Sequence, residues 1–207
     1  MSELFSIQLQ NRQQQGRDGV WLDLPTTTEQ VQAALRQIGI TSDNPQGLFI
    51  SGYFAEEEKR FAIPYNMVLA SNVDELNFLA SRLETLSTGE RAELNAALQA
   101  PQSELFSIGR ITDFPENVDY YVYLPDVHGP AQLGDYYLNR SGMVDMPEEW
   151  KGGIDTAQFG RYVAQQEQGA FTQYGYLVKS GDEWQKVHEG QPVPEEYRVM
   201  TFQDAEE

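Results

Sequence analysis

Residues 74–98, DELNFLASRLETLSTGERAELNAAL, read as two helices, and the rest of the fold is worked out from them. Leu76, Leu79, Leu83 and Leu86 recur at helical spacing, and Leu94 and Leu98 resume the pattern after the break near residue 86. Each helix has its own start signal. Ser71 with Asp74, and Ser87 with Glu90, place a hydroxyl and an acid where the first free backbone N–H groups need acceptors. The outward positions carry carboxylates with almost nothing positive beside them. No histidine, cysteine or glycine-rich phosphate loop stands nearby to give those acids a chemical task.

Toward the N-terminus, LFSIQLQ (4–10) alternates as a strand does, and the polar, glycine-bearing NRQQQGRDG (11–19) turns it into VWLDLP (20–25), an antiparallel partner. TTTEQVQAALRQIGI (26–40) is a helix, with Thr26 and Glu29 as a capping box, Val31, Ala34, Leu35 and Ile38 on one face, and Gly39 as a left-handed end. QGLFISGYF (46–54) is a third strand, and the cluster EEEKR (56–60) is a solvated turn.

On the other side, SELFSIGRI (103–111) predicts a third helical piece and NVDYYVYLP (117–125) an aromatic, β-branched strand. A helix over AQLGDYYLNR (131–140), a proline-bounded loop MPEEWKGG (146–153), a helix over DTAQFGRYVAQ (155–165) and strands in YGYLVKS (174–180) and EWQKVHE (183–189) follow. SELFSI occurs at 2–7 and again at 103–108, but the flanks differ and the repeat is coincidental. The class is α+β in three small domains. They are 1–66 (a sheet with one helix), 67–103 (helical) and 104–207 (α+β with a tail).

The chain has 207 residues, 40% of them hydrophobic and 12% aromatic, enough for a sizeable core. Its 32 acids against 14 bases leave a net charge of −18. Such a chain repels nucleic acid and anionic membranes and attracts basic protein surfaces, although acidity for solubility alone produces the same composition. Cysteine is absent, no charged-then-apolar leader opens the chain, and no apolar run reaches the roughly 18 residues of a membrane span. A cytoplasmic, soluble protein without membrane contact is expected.

Catalytic signatures are missing. The two histidines are His128 and His188, and Asp126 with His128 offers two metal ligands where a zinc site needs at least three from the protein. There is no nucleophile elbow and no phosphate loop, and the pair Glu148 and Glu149 reads as a solvated loop. No catalytic residue, metal or cofactor is expected. Tyr120, Tyr121, Tyr123, Tyr136 and Tyr137 serve packing and contacts, because base stacking needs a basic groove beside it.

Duplex DNA carries one charge per about 1.7 Å of axis, so two chains at −18 each, −36 together, match roughly 60 Å of duplex. Helix neighbours such as Glu90 and Glu93 hold their side chains roughly 5 to 6 Å apart, approaching a phosphate repeat. Two readings follow. One is a rigid polyanion that displaces DNA from a positive groove. The other is an acidic module binding another basic DNA-binding protein.

The segments GVWLDLPTTTEQVQAALRQIGI (19–40), NVDELNFLASRLETLSTGERAELNAAL (72–98), YYVYLPDVHGPAQLGDYYLNRSG (120–142), GGIDTAQFGRYVA (152–164) and TQYGYLV (172–178), in that order, resemble the ArdA antirestriction proteins of mobile genetic elements. The resemblance covers most of residues 1–180 and leaves the tail outside it. It implies an elongated homodimer, joined through its C-terminal part, that mimics bent double-stranded DNA. Such proteins occupy the DNA-binding groove of type I restriction-modification enzymes, formed by methyltransferase and specificity subunits, and block restriction and often modification. The leucine-rich helices match the region of the family's antirestriction motif, which carries over Asp74, Glu75, Glu84, Glu90 and Glu93 as surface charges. Glu104, Asp113, Glu116, Asp119, Asp126, Asp135, Asp145, Glu148, Glu149 and Asp155 extend the expected acidic surface.

Overall fold

In the computed structural model, which describes residues 4–14, 18–56, 60–101 and 103–202, the alternating segments form β1 (Phe5–Asn11), β2 (Val20–Leu24) and, after helix α1 (Thr28–Gln37), β3 (Leu48–Phe54). Helices α2 (Tyr65–Ala70), α3 (Val73–Glu84), α4 (Thr88–Gln99) and α5 (Ile108–Thr112) follow, then β4 (Tyr121–Leu124). Helix α6 (Pro130–Asp135) runs into a π-helical turn (Tyr136–Arg140). One turn, α7 (Glu148–Lys151), then α8 (Thr156–Glu167) and the hairpin β5 (Ala170–Thr172) and β6 (Gly175–Lys179) complete the elements used below. The class is α+β, as the sequence predicts. Residues 15–17 of the first loop and 57–59 of EEEKR lie outside the described residues.

The chain forms two compact units. Unit 1 is built from the described residues of Met1–Leu86, Leu105–Pro115 and Lys186–Glu207, and unit 2 from those of Ser87–Glu104 and Glu116–Gln185. In unit 1 the antiparallel sheet has the order β2-β1-β3, with Ile7 opposite Leu22 and Phe5 opposite Leu24. Phe5, Ile7, Leu9, Leu22 and Leu24 point to one buried face with Val31, Ala34 and Leu35 of α1. Leu76, Leu79 and Leu83 of α3 are buried as their spacing requires, each such side chain contributing roughly 1.5–3 kcal/mol.

Two capping boxes sit one residue later than expected. Helix α1 is capped by Thr27 with Gln30, because the N–H of Thr26 donates to Asn77 Oδ1 at 2.7 Å and that residue is buried. Helix α3 is capped by Asn72 with Glu75, while the Ser71 hydroxyl donates back to the Met67 carbonyl. Gly39, at φ +67, closes α1 in the left-handed conformation expected of it, and the Asn11 amide donates to the Ile38 carbonyl just before it.

Unit 2 holds the antiparallel sheet β4-β6-β5, with Tyr121 opposite Lys179 and Ala170 opposite Leu177. Helix α4 starts at the Ser87–Glu90 capping box the sequence predicts, and its Leu94, Ala96 and Ala97 are buried. Helices α6 and α8 cross through glycines. A Cβ on Gly134 would lie 1.9 Å from the Thr156 carbonyl oxygen, and one on Gly160 would lie 1.8 Å from that of Pro130. Val127, Leu133 and Tyr176 form a core cluster beneath this crossing. The Glu167 carboxylate accepts hydrogen bonds from the hydroxyls of Tyr137 and Tyr176, and burial, followed by these bonds, keeps both phenols protonated far above their ordinary range.

Three segments differ from the sequence reading. SELFSIGRI becomes helical only at Ile108, where the Ser107 hydroxyl caps the turn. MPEEWKGG contains the single turn α7. EWQKVHE is not a strand, because side chains take the backbone groups a sheet would have used. The N–H of Gln185 donates to Asn117 Oδ1, and those of Val187, His188 and Glu189 donate to the Asp113 carboxylate.

Candidate protein-interaction surface

The acids expected on one surface have different surroundings in the two units. In unit 1, Asp113 is fully buried and accepts three backbone N–H groups, from Val187 at 3.3 Å, His188 at 2.7 Å and Glu189 at 3.2 Å. It is a structural clamp with no face to solvent. Asp74, half-buried on the first turn of α3, accepts the N–H groups of Val199 at 2.7 Å and Met200 at 2.9 Å. Glu75 caps the same helix through the Asn72 N–H, and Glu84 is half-buried at its far end. A further acid, Glu189, meets the Arg110 guanidinium at 3.1 Å. These contacts bind 186–202 to α3 and α5, and Asn77 adds an amide donation to the Tyr197 carbonyl.

In unit 2 most of the expected acids face outward, cap helices or pair with a base. Asp119 and Asp126, flanking β4, are exposed, as are Asp145 and Glu149. Asp155 is exposed while accepting the Gln158 N–H as the cap of α8. Glu148 pairs with Lys151 at 2.6 Å, Asp135 with Arg140 at 3.3 Å, and Glu104 with Lys179 at 2.5 Å. Glu116 is half-buried.

One group of acids converges. Glu90 accepts the Ser87 N–H at 2.7 Å, and its bonds to the Ser87 hydroxyl and backbone hold its carboxyl below the ordinary value. One turn on, Glu93 has a buried Oε1 with no hydrogen-bond partner. Its pKa is pushed up to about 8, first by burial and then by the charges of Glu90 and Asp119. The Tyr123 phenol is raised by burial and by Glu93 and Asp126. Thus Glu93 feels the charges of Glu90 and Asp119, and Tyr123 on β4 feels those of Glu93 and Asp126. At neutral pH Glu93 keeps much of its proton because burial and the neighbouring Glu90 and Asp119 disfavour its charge.

The sequence points to these acids singly. It gives no sign that the second helix of the opening stretch meets the strand after residue 120, because α4 packs on β6 and β6 pairs with β4 across long intervals of chain. Unit 2 holds 14 acids against 5 bases and unit 1 holds 18 against 9, each difference being −9. The units therefore hold equal charge, and the difference lies in the surroundings of the acids named above.

Among the described residues no three metal-ligating side chains converge, and no helix is long and apolar enough to cross a membrane. A hollow of about 600 Å³ in unit 1 lies between Met67, Phe78, Ile108 and the 188–193 segment. There His188 stacks edge-on against Phe78 at 4.9 Å, a packing role. A family model described as antirestriction protein (ArdA) matches residues 15–178. No curated protein matches the chain.

Proposed function

This chain belongs to the ArdA antirestriction family, and from that premise we propose that it inhibits by imitating double-stranded DNA. The observation that supports the reading is the outward acidity of unit 2 at Asp119, Asp126, Asp145, Glu148, Glu149 and Asp155, with the half-buried Glu90 and Glu93 beside it. The target is a type I restriction-modification enzyme, whose methyltransferase and specificity subunits form a groove of cations spaced for phosphates. A second copy of the chain brings the charge to −36, the equivalent of roughly 60 Å of duplex.

Inhibition in this reading is competition. The groove exchanges a DNA backbone for fixed carboxylates and gains the same counterion release. Glu93 gives the exchange a proton count, since a cation seated beside it favours the ionised form and binding releases a proton.

The test is displacement of a fluorescent duplex from a purified type I methyltransferase. Displacement at near-stoichiometric inhibitor, weakening steeply as salt rises, is the expected result. DNA that stays bound at a hundredfold excess of inhibitor ends the reading. Displacement from a different basic DNA-binding protein alone transfers the function to a broader acidic module.

A further inference from the structure

The sheet of unit 1 has a second face, opposite Phe5, Ile7 and Leu9. Its register places Gln8 between Trp21 on β2 and Gly52 on β3, and Ser6 between Asp23 and Phe54. Trp21 is 49% exposed and Phe54 53%, and their rings meet edge-to-face with centroids 6.4 Å apart. The indole lies across Gln8 onto Gly52, where a Cβ would come within 3.0 Å of the ring. Beside the rings, the Ser6 hydroxyl donates to the Asp23 carboxylate at 2.9 Å and fixes its position.

Scattered exposed aromatics are ordinary. Two in contact, one laid on a glycine floor and both next to an anchored carboxylate, make a surface suited to a particular chemistry. Further along the same face, Phe49 lies opposite Gln10, and the Arg12 guanidinium already covers its ring at 5.1 Å. The face thus accepts a guanidinium from within the chain.

We propose that the Trp21–Phe54–Asp23 face is a docking surface for an arginine-bearing segment of a basic partner protein. A planar guanidinium stacks on the exposed indole while its N–H groups reach the Asp23 carboxylate, an arrangement that a lysine ammonium meets less well. The net charge of −18 favours a basic occupant over a second copy of this equally acidic chain. The surface belongs to unit 1, whereas the acids that support the inhibitor reading belong to unit 2, and it rests on that reading only for the partner's identity.

The deciding measurement uses the full chain labelled with nitrogen-15. The Trp21 indole N–H signal, identified by its loss in Trp21→Phe, is followed while hexa-arginine and then hexa-lysine are added. Trp150, 66% exposed in unit 2, serves as the internal control. The expected result is a saturable shift at Trp21, larger than at Trp150 and several-fold larger with arginine than with lysine, and reduced in Asp23→Asn. Equal responses at the two tryptophans, or equal responses to the two peptides, overturn the proposal. So does a Trp21 signal that moves with protein concentration alone, since that assigns the face to self-association.

A second arm compares wild type with Trp21→Ala/Phe54→Ala in the methyltransferase displacement assay, where the expected loss is about three- to tenfold in affinity with the thermal melt unchanged. Wild type that fails to displace DNA removes the mimic reading and leaves the peptide result to decide this one.

Discussion

Units 1 and 2 carry the same net charge, yet the acids expected to form an interaction surface are engaged differently in each. In unit 1, Asp74 and Asp113 are held by backbone N–H groups of residues far along the chain, so negative charge joins segments. In unit 2, Asp119, Asp126, Asp145 and Glu149 face outward, and Glu90 and Asp155 spend only part of their capacity on helix starts. Net charge therefore counts acids without saying which remain available to a partner. That depends on the donors each one meets.

The strongest way to break this contrast is Asp113→Ala. Three N–H groups around a buried site lose their acceptor, and the expected cost is about 3–5 kcal/mol, a fall of roughly 10 °C or more in Tm. A variant that melts like wild type but no longer displaces DNA would place Asp113 with the outward acids after all. Next in size is Gly160→Ala, which drives a methyl into the Pro130 carbonyl at the helix crossing and costs about 2–3 kcal/mol in a thermal melt. An unchanged melt would show that the crossing can open without loss.

The combined change Glu90→Gln, Asp119→Asn, Asp126→Asn sharpens the contrast from the other side. Stability is expected to change by less than about 1 kcal/mol, because Asp119 and Asp126 are exposed and a Gln at position 90 can still accept the Ser87 N–H. Affinity for the methyltransferase falls roughly tenfold or more, the salt dependence becomes shallower by about three charges, and each single change alone does little. A single substitution with the full effect would point to one local contact and away from a shared field.

The smallest effect is Glu93→Gln, read as stability against pH. Glu93 has a folded pKa of about 8 against 4.5 for the ordinary carboxyl, so its contribution is fully present below 4.5 and is lost as pH rises toward 8. Wild type and variant should melt together near pH 5. By pH 8 the variant should be the more stable by roughly 1 kcal/mol once solvent screening is allowed for. Parallel melting curves across that range would remove the buried, crowded carboxyl.

The helices of 73–98 are legible because their period and caps are local. Ser87 with Glu90 is read to the residue. The other two caps are displaced by one position, and the cause lies 51 and about 125 residues away, where Asn77 takes the Thr26 N–H and the Asp74 carboxylate takes those of Val199 and Met200. EWQKVHE alternates well enough for a strand. Its fate depends on Asp113 and Asn117, whose hydrogen bonds no local pattern announces. β5, three residues long, is too short to show alternation. The family is legible in the order of segments, but which of its acids face outward emerges only when α4 and β4 are seen in one unit.

The return of residues 186–202 to α3 also sets an order of events during synthesis. A ribosome delivers Val187, Tyr197 and Val199, whose backbone groups meet Asp113, Asn77 and Asp74, only after every residue of unit 2 has been translated. Unit 2 therefore has its whole sequence before unit 1 does, and a nascent chain stalled before residue 186 leaves unit 1 without the segment that Asp74, Asn77 and Asp113 hold.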